Sequence, residues 1–431
     1  MKSNWSQLTL AAAIMIVTVS VMPVPVMSQF RYPSQTGAHS LALGGAGVGG
    51  LMDTYTGLLN PASIVKINET RVAFQSAFEM SRTTIEPVGT SYRENGESLD
   101  TLQAVPSLAS VLNFGSSIFS MGVYAHAREN TRFGFGNETL FRYHMREFRF
   151  NATSLDISLG VIPIPNFSFG LNLGYLHAEA SAMRKESPLT NNSDPDSDLD
   201  FRWEAEFEDI AEFFPSAGML WSPNYRFDLG FVFQPPAAYH FKGDLAVTLP
   251  ESLGGTIYRT DLEKLRVTIP GSLQVGTHWI ASDRVDVFVD IKWTQFSQID
   301  DMNLVMERPR DPYLPFEYRT RVDLSDRWSL HAGAEFMVSD RTTLRFGAFH
   351  STEVSDETNG SIVWAYPAQT GLSAGIDFKV LGWDLEIGAH HAFSGQTRND
   401  FSPTSLPMLP IDQVDVTQET TSLSIGLSKS F

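Results

Sequence analysis

"NFSFGLNLGYL", residues 166–176, decides the fold. Taken alternately, Phe167, Phe169, Leu171, Leu173 and Tyr175 make one large apolar row, and Ser168, Gly170, Asn172 and Gly174 make a small or polar one. A period of two is the signature of a strand. A soluble sheet would press its large residues against helices or a second apolar layer. A lipid-facing barrel does the reverse, with apolar residues outside and small or polar ones within. "RFDLGFVF" (226–233), "RVDVFVDIKW" (284–293), "TLRFGAF" (343–349), "TGLSAGIDFKV" (370–380), "WDLEIGAHHAF" (383–393) and "TSLSIGLSKSF" (421–431) follow the same rule.

The connections between such segments alternate in length. Six are short, at 113–117, 163–166, 222–226, 281–284, 339–341 and 380–383. Seven are long, at about 81–104, 128–147, 177–212, 235–269, 297–326, 351–367 and 394–417. Tight periplasmic turns alternating with large extracellular loops describe an outer-membrane barrel, here of about fourteen antiparallel strands. Closure also removes the unpaired edges that lipid cannot satisfy. Trp221, Tyr225, Trp279 and Trp383 flank short turns, as an interfacial girdle would. The last strand ends on Phe431, the position of an outer-membrane assembly signal.

At the other end, Lys2 precedes an apolar run from Leu8 to Met22, then Pro23, Pro25 and Val26-Met27-Ser28. This reads as a signal peptide over residues 1–28, with a retained anchor as its rival. The chain then divides into an N-terminal segment, 29–68, and the barrel, 69–431. A net charge of −18 argues against a nucleic-acid partner, and the absence of cysteine removes disulfides, lipid attachment at cysteine and a thiol nucleophile.

Several short motifs imitate chemistry. "GGAGVGG" (44–50) contains Gly45-x-Gly47-x-x-Gly50, the spacing of a dinucleotide loop, with Glu69 downstream. No apolar strand precedes it, and Gly57 and Asn60-Pro61 end any helix that follows, so no cofactor is expected. Gly371-Leu372-Ser373-Ala374-Gly375 resembles a nucleophile elbow but continues as a strand. The aspartates at 194, 196, 198 and 200 start like a calcium loop, yet Leu199 and Ala205 stand where glycine and glutamate are needed. His390 and His391 alternate across a strand and cannot share one metal. No metal site is therefore expected.

Two stretches suggest binding. Arg132, Arg142, Arg146 and Arg149 interleave with aromatics, fitting either lipopolysaccharide phosphates or local cation–π contacts. In "EAEFEDIAEFFP" (204–215), Phe207, Ile210, Ala211 and Phe214 recur at helical spacing, which predicts a short amphipathic helix ended by Pro215.

Three blocks resemble the FadL-type family of outer-membrane transporters for long-chain fatty acids and other hydrophobic compounds. They are "GAHSLALGGAGVGGLMDTYTGLLNPAS" (37–63), "FKGDLAV" (241–247) followed by "IPGSLQVGTHWIASDRVDVFVDIKWTQFSQ" (269–298), and "DRWSLHAGAEFMVSDRTTLRFGAF" (326–349). Phe336, where tyrosine is common, and "STEVSDE" (351–357) depart from the pattern. The resemblance implies a fourteen-stranded barrel plugged by residues 29–68, with Gly44, Gly45, Gly47, Gly49, Gly50, Asn60, Pro61 and Ala62 in a hatch. It implies passive uptake by a monomer in the bacterial outer membrane, without enzyme activity. The partners expected are the hydrophobic ligand, outer-membrane lipid and lipopolysaccharide, and the assembly machinery. Phe207, Ile210, Phe213 and Phe214 are the expected capture residues. The alternative is a related barrel that escorts secreted proteins, as in type IX secretion.

Overall fold

The computed structural model describes residues 37–88, 96–113, 119–134, 147–186, 200–209, 212–299, 301–306, 317–321, 324–354, 366–400 and 413–431. The signal-peptide reading, Ile210, Arg142, Arg146 and the aspartates at 194, 196 and 198 lie outside these residues.

Among the described residues twenty strand segments, numbered β1 to β20 in chain order, form one antiparallel sheet. Fourteen close a ring: β1 (Arg71–Val88), β2 (Glu97–Asn113), β3 (Phe119–Gly134), β4 (Glu147–Ile164), β5 (Phe167–Glu186), β7 (Glu212–Asn224), β8 (Phe227–Gln234), β11 (Ser272–Ser282), β12 (Val285–Thr294), β15 (Arg327–Ser339), β16 (Thr342–Ser351), β17 (Gln369–Val380), β18 (Trp383–Ser394) and β20 (Gln413–Ser430). β20 closes on β1 over eighteen residue pairs, from Arg71 opposite Ser430 to Val88 opposite Gln413.

The alternation read from the sequence fixes which way each strand faces. Phe169, Leu171, Leu173 and Tyr175 are exposed on the outer wall, Leu171 at 64%, while Ser168 and Asn172 are buried within. In β20, Leu423, Ile425 and Leu427 face out and Ser422, Ser424 and Ser428 face in. Water would disfavour this outer surface, and a bilayer core accepts it. Among the described residues no helix is long and apolar enough to cross a membrane, so the crossing is made by strands.

Five of the six short connections are tight turns, and residues 114–118 of the sixth lie outside the described residues. Asn166 has φ 67°, and Leu381 and Gly382 have φ 53° and 81°. Positive φ at both central residues is the type I′ pattern that matches strand twist. Trp221, Tyr225, Trp279 and Trp383 are exposed beside these turns. The Lys429 ammonium lies 5.0 Å from the Trp383 ring centre and 5.4 Å from that of Phe431. Phe431 itself is exposed, and its backbone N–H donates to the Thr70 carbonyl.

The long connections contain more sheet than their composition announces. β1 and β2 stay paired out to Ile85 and Glu97. β6 (Phe201–Asp209), β9 (Ala237–Thr248), β10 (Ile257–Ile269), β13 (Asp301–Met306) and β14 (Glu317–Arg321) continue the sheet beyond β5, and β19 (Thr397–Asp400) pairs with β20.

One sequence expectation fails here. The stretch from Phe207 to Phe214 is not an amphipathic helix: Phe207 belongs to β6, and Phe213 and Phe214 belong to β7. Ladder pairing on β5 and β9 outweighs the helical spacing of four apolar residues, because it satisfies every backbone group of an extended segment.

Candidate functional site

The described N-terminal segment, from Gly37 to Asn68, lies inside the ring. It contains α1 (Ala38–Ala42), α2 (Thr56–Leu59) and a 3-10 turn, Pro61–Lys66. Nearly all of it is buried, although it has too few large residues to build a core of its own. Its partners are the inward rows of the strands.

Four features hold it there. The first is missing side chains on the wall. A Cβ on Gly230 would lie 2.0 Å from the Val48 carbonyl oxygen, and one on Gly170 would lie 2.2 Å from the Pro61 carbonyl carbon. One on Gly347 would lie 2.2 Å from Leu43, so β8, β5 and β16 all meet the segment backbone to backbone. The segment returns the same fit at Gly49, whose added Cβ would come within 2.3 Å of Thr277.

The second is hydrogen bonding to the glycine loop. The Asp290 carboxylate on β12 accepts from the N–H groups of Gly47 and Val48 at 2.7 and 2.8 Å. Gly47 has φ 153° and Gly50 has φ 119°, backbone shapes that side chains rarely adopt. Two successive amides turned toward one carboxylate form an anion-holding concavity. The glycine pattern that imitates a nucleotide loop thus presents amides to a carboxylate of the barrel wall. His331 donates from Nδ1 to the Gly44 carbonyl at 2.7 Å.

Asn60 supplies the third feature. Its Oδ1 accepts from Ala62 N–H and starts the 3-10 turn, with Pro61 at the first position where no N–H is needed. Its Nδ2 donates to the Val48 carbonyl at 2.8 Å and to the Met219 carbonyl on β7 at 3.3 Å. One side chain therefore ties together the cap, the glycine loop and the wall.

Ion pairs bind both ends of the segment. Lys66 pairs with Asp228, which also faces His278 Nδ1 at 3.1 Å. His39 pairs with Glu335, and Arg345 bridges Glu335 at 2.8 Å and Asp377 at 2.7 Å. Burial pushes the Asp53 carboxyl above the ordinary carboxylate range, although His39 and Arg345 pull it down. Burial likewise pushes the Tyr55 phenol well up while its hydroxyl donates to the Ser107 carbonyl at 3.0 Å.

Beyond the segment the inner wall changes character along β5 and the strands beside it, while the inward rows of β1 and β20 stay polar at Glu79, Ser81, Gln418 and Thr420. Along β5, starting from the 165–166 turn, the inward residues are Ser168, Gly170, Asn172 and Gly174, then Leu176, Ala178 and Ala180. The first group meets the segment, as in Ser158 Oγ donating to Asn172 Oδ1 at 2.7 Å and to the Gly57 carbonyl at 3.1 Å. The second continues across β6 and β9 as Ala205, Phe207, Phe241, Leu245 and Val247, all buried. The rings of Phe207 and Phe241 are 6.2 Å apart, and Phe214 is buried on β7. Phe213 takes the opposite face, exposed and edge-on to Tyr175 at 6.0 Å. Adjacent strand residues must face opposite ways, so Phe213 cannot share a lining with Phe214.

Ser373 and His390 face inward opposite each other on β17 and β18 and share a 3.1 Å hydrogen bond, while His391 faces outward. Ser373 lies in a regular strand with no elbow. Arg149 pairs with Glu147, a local partner.

The profile of one family, the outer membrane protein transport proteins grouped as OMPP1/FadL/TodX, matches residues 25–403. The chain belongs to this family. It is an outer-membrane transport protein and not an enzyme. An outer membrane protein of Neisseria meningitidis serogroup B is 28% identical over 148 residues, which are 31% of this chain and 32% of that one. The chain thus matches about a third of that relative's length. The fold is similar to that of a FadL homologue from Pseudomonas aeruginosa, with a TM-score of 0.80 at 14% identity over 94% of this chain and 100% of that one. It is similar also to the Pseudomonas putida toluene transporter TodX (TM-score 0.67, 14% identity, 94% and 100% covered) and the Ralstonia pickettii toluene transporter TbuX (0.67, 15%, 92% and 98%).

Family membership gives meaning to the blocks that carried the resemblance. Gly276 and Asp290 are cross-strand partners that meet at Val48, Gly333 and Gly347 meet at Leu43, and Glu335 and Arg345 meet beside His39. Their positions were legible, but their common task, holding the segment, was not. Asp53 and Phe241 lie within these blocks and Glu386 within an alternating strand, but nothing in the sequence singled them out as site residues.

Proposed function

We propose that the chain carries out passive uptake of hydrophobic small molecules, such as long-chain fatty acids or hydrocarbons, across the outer membrane. The observation that carries this reading is the change along one side of the inner wall, on β5 and its neighbours, from polar and glycine-rich beside the segment to apolar at Leu176, Phe207, Phe214 and Phe241. An apolar molecule entering from the loops meets these residues before it meets the segment. Residues 29–68 act as the hatch, and the glycines from Gly44 to Gly50 let its backbone shift against the wall.

The ligand then leaves sideways through the barrel wall into the membrane. Each methylene re-exposed to water costs about 0.8 kcal/mol, so an apolar path with lateral exit avoids a barrier that grows with chain length. No bond is made or broken and no cofactor takes part. Phe431 serves recognition by the outer-membrane assembly machinery.

Native mass spectrometry of detergent-purified protein tests the assignment. A co-purifying fatty acid or hydrocarbon is expected. A stoichiometric secreted protein with no apolar molecule would instead favour the escort reading.

A further inference from the structure

Where α1 meets β18 the structure gathers residues that the sequence holds far apart. His39, Asp53 and Glu386 each offer one ligand atom, and these atoms all lie within 4.8 Å of one another. His39 and Asp53 are buried, and Glu386 is partly so.

The surrounding charges do not balance. Glu335 and Asp377 are taken by the Arg345 guanidinium. Asp53 and Glu386 are left to share the His39 imidazole and the field of an Arg345 already paired twice, and neither has an ion pair of its own among the described residues. Asp53 is 4% exposed, and its Oδ2 has no hydrogen-bond partner among the described residues. An enclosed carboxylate oxygen without a donor is costly unless a cation or a proton meets it.

The donor set favours a metal ion. One imidazole with two carboxylates is a mixed nitrogen and oxygen set suited to Zn2+, and donor atoms within 4.8 Å of one another would have to draw together to reach bonds of about 2.0–2.2 Å. The His39 Nε2 faces Glu335, itself held by Arg345. A ligating histidine almost always gives its second ring nitrogen to a carboxylate in this way, and the contact leaves Nδ1 as the donor atom.

We propose that His39, Asp53 and Glu386 bind one Zn2+ ion that clamps the N-terminal segment to the barrel wall. Two ligands come from different turns of the segment and the third from β18, so the ion would couple hatch position to metal supply. This goes beyond the uptake reading and does not depend on it.

The test strips purified full-length protein with a chelator, reloads it with Zn2+ alone, and counts metal after desalting. Heat-sensitive gel mobility verifies the folded barrel. The wild type is expected to hold one Zn2+ per chain. Asp53→Asn and Glu386→Gln, both close in shape, are expected to bind at least tenfold more weakly while still folded. A wild type that retains no Zn2+, or variants that bind like the wild type, would overturn the site. Should either variant fail to assemble, Co2+ in the wild type supplies a second readout. Visible bands of a bound, imidazole-ligated ion support the site, and their absence overturns it.

Discussion

Phe207→Asp combined with Phe214→Asp lowers uptake of a long-chain hydrophobe at least tenfold, while the barrel still assembles and shows heat-sensitive gel mobility. Both side chains are buried on the inner face, Phe207 packed on Phe241 and Phe214 opposite Gly174. Losing one buried aromatic removes about 1.5–3 kcal/mol of favourable burial, and a carboxylate in its place also repels an apolar tail. Two such sites together exceed the 1.4 kcal/mol that makes a tenfold change. The barrel survives because neither residue faces lipid and both strands keep their ladders. Phe213→Asp is the informative contrast: it lies on the outer wall, so its effect should fall on assembly and not on transport. Unchanged uptake in the double variant would remove these residues from the path.

Gly230→Val carries the second large effect. Valine suits a strand, and its side chain would point into the lumen, so the wall itself tolerates it. The segment does not: the new Cβ would lie 2.0 Å from the Val48 carbonyl oxygen and 3.0 Å from Asn60 Nδ2. The first is backbone, so no rotamer relieves the clash. The segment must lift away from β8, losing the Asn60 bonds and loosening Asp290 from the Gly47 and Val48 amides. A barrel so unseated should admit polar solutes. We expect a tenfold or larger rise in sensitivity to a bulky polar antibiotic in cells expressing the variant. Sensitivity equal to wild type would show that the segment does not seal the lumen. Asp290→Asn, which keeps an acceptor for the two amides, is expected to have a smaller effect.

How much of this was legible follows from range. Alternation acts between neighbours two apart, so "NFSFGLNLGYL" and "TSLSIGLSKSF" disclosed both faces of their strands. Turn lengths then supplied the strand number, and the fourteen-stranded ring confirms it. Phe207 to Phe214 misled because apolar residues at helical spacing also fit two strands, one holding Phe207 and the other Phe214, and only pairing with β5 and β9 chooses between them. The glycine loop was readable as side-chain-poor, but its carboxylate partner Asp290 is more than 240 residues away. His39 and Glu386 meet only once the barrel closes around the segment. Local pattern reveals strands, whereas contacts between a segment and the wall that surrounds it depend on closure.

The proposed movement of an apolar molecule across the outer membrane can be followed in cells. The most direct measurement is uptake of a labelled long-chain fatty acid or hydrocarbon by cells in which this protein is the sole transporter of its kind, beside a polar compound of similar size. Saturable uptake of the apolar compound is expected, well above that of cells lacking the protein, with no matching gain for the polar one. Equal apolar uptake with and without the protein would contradict it.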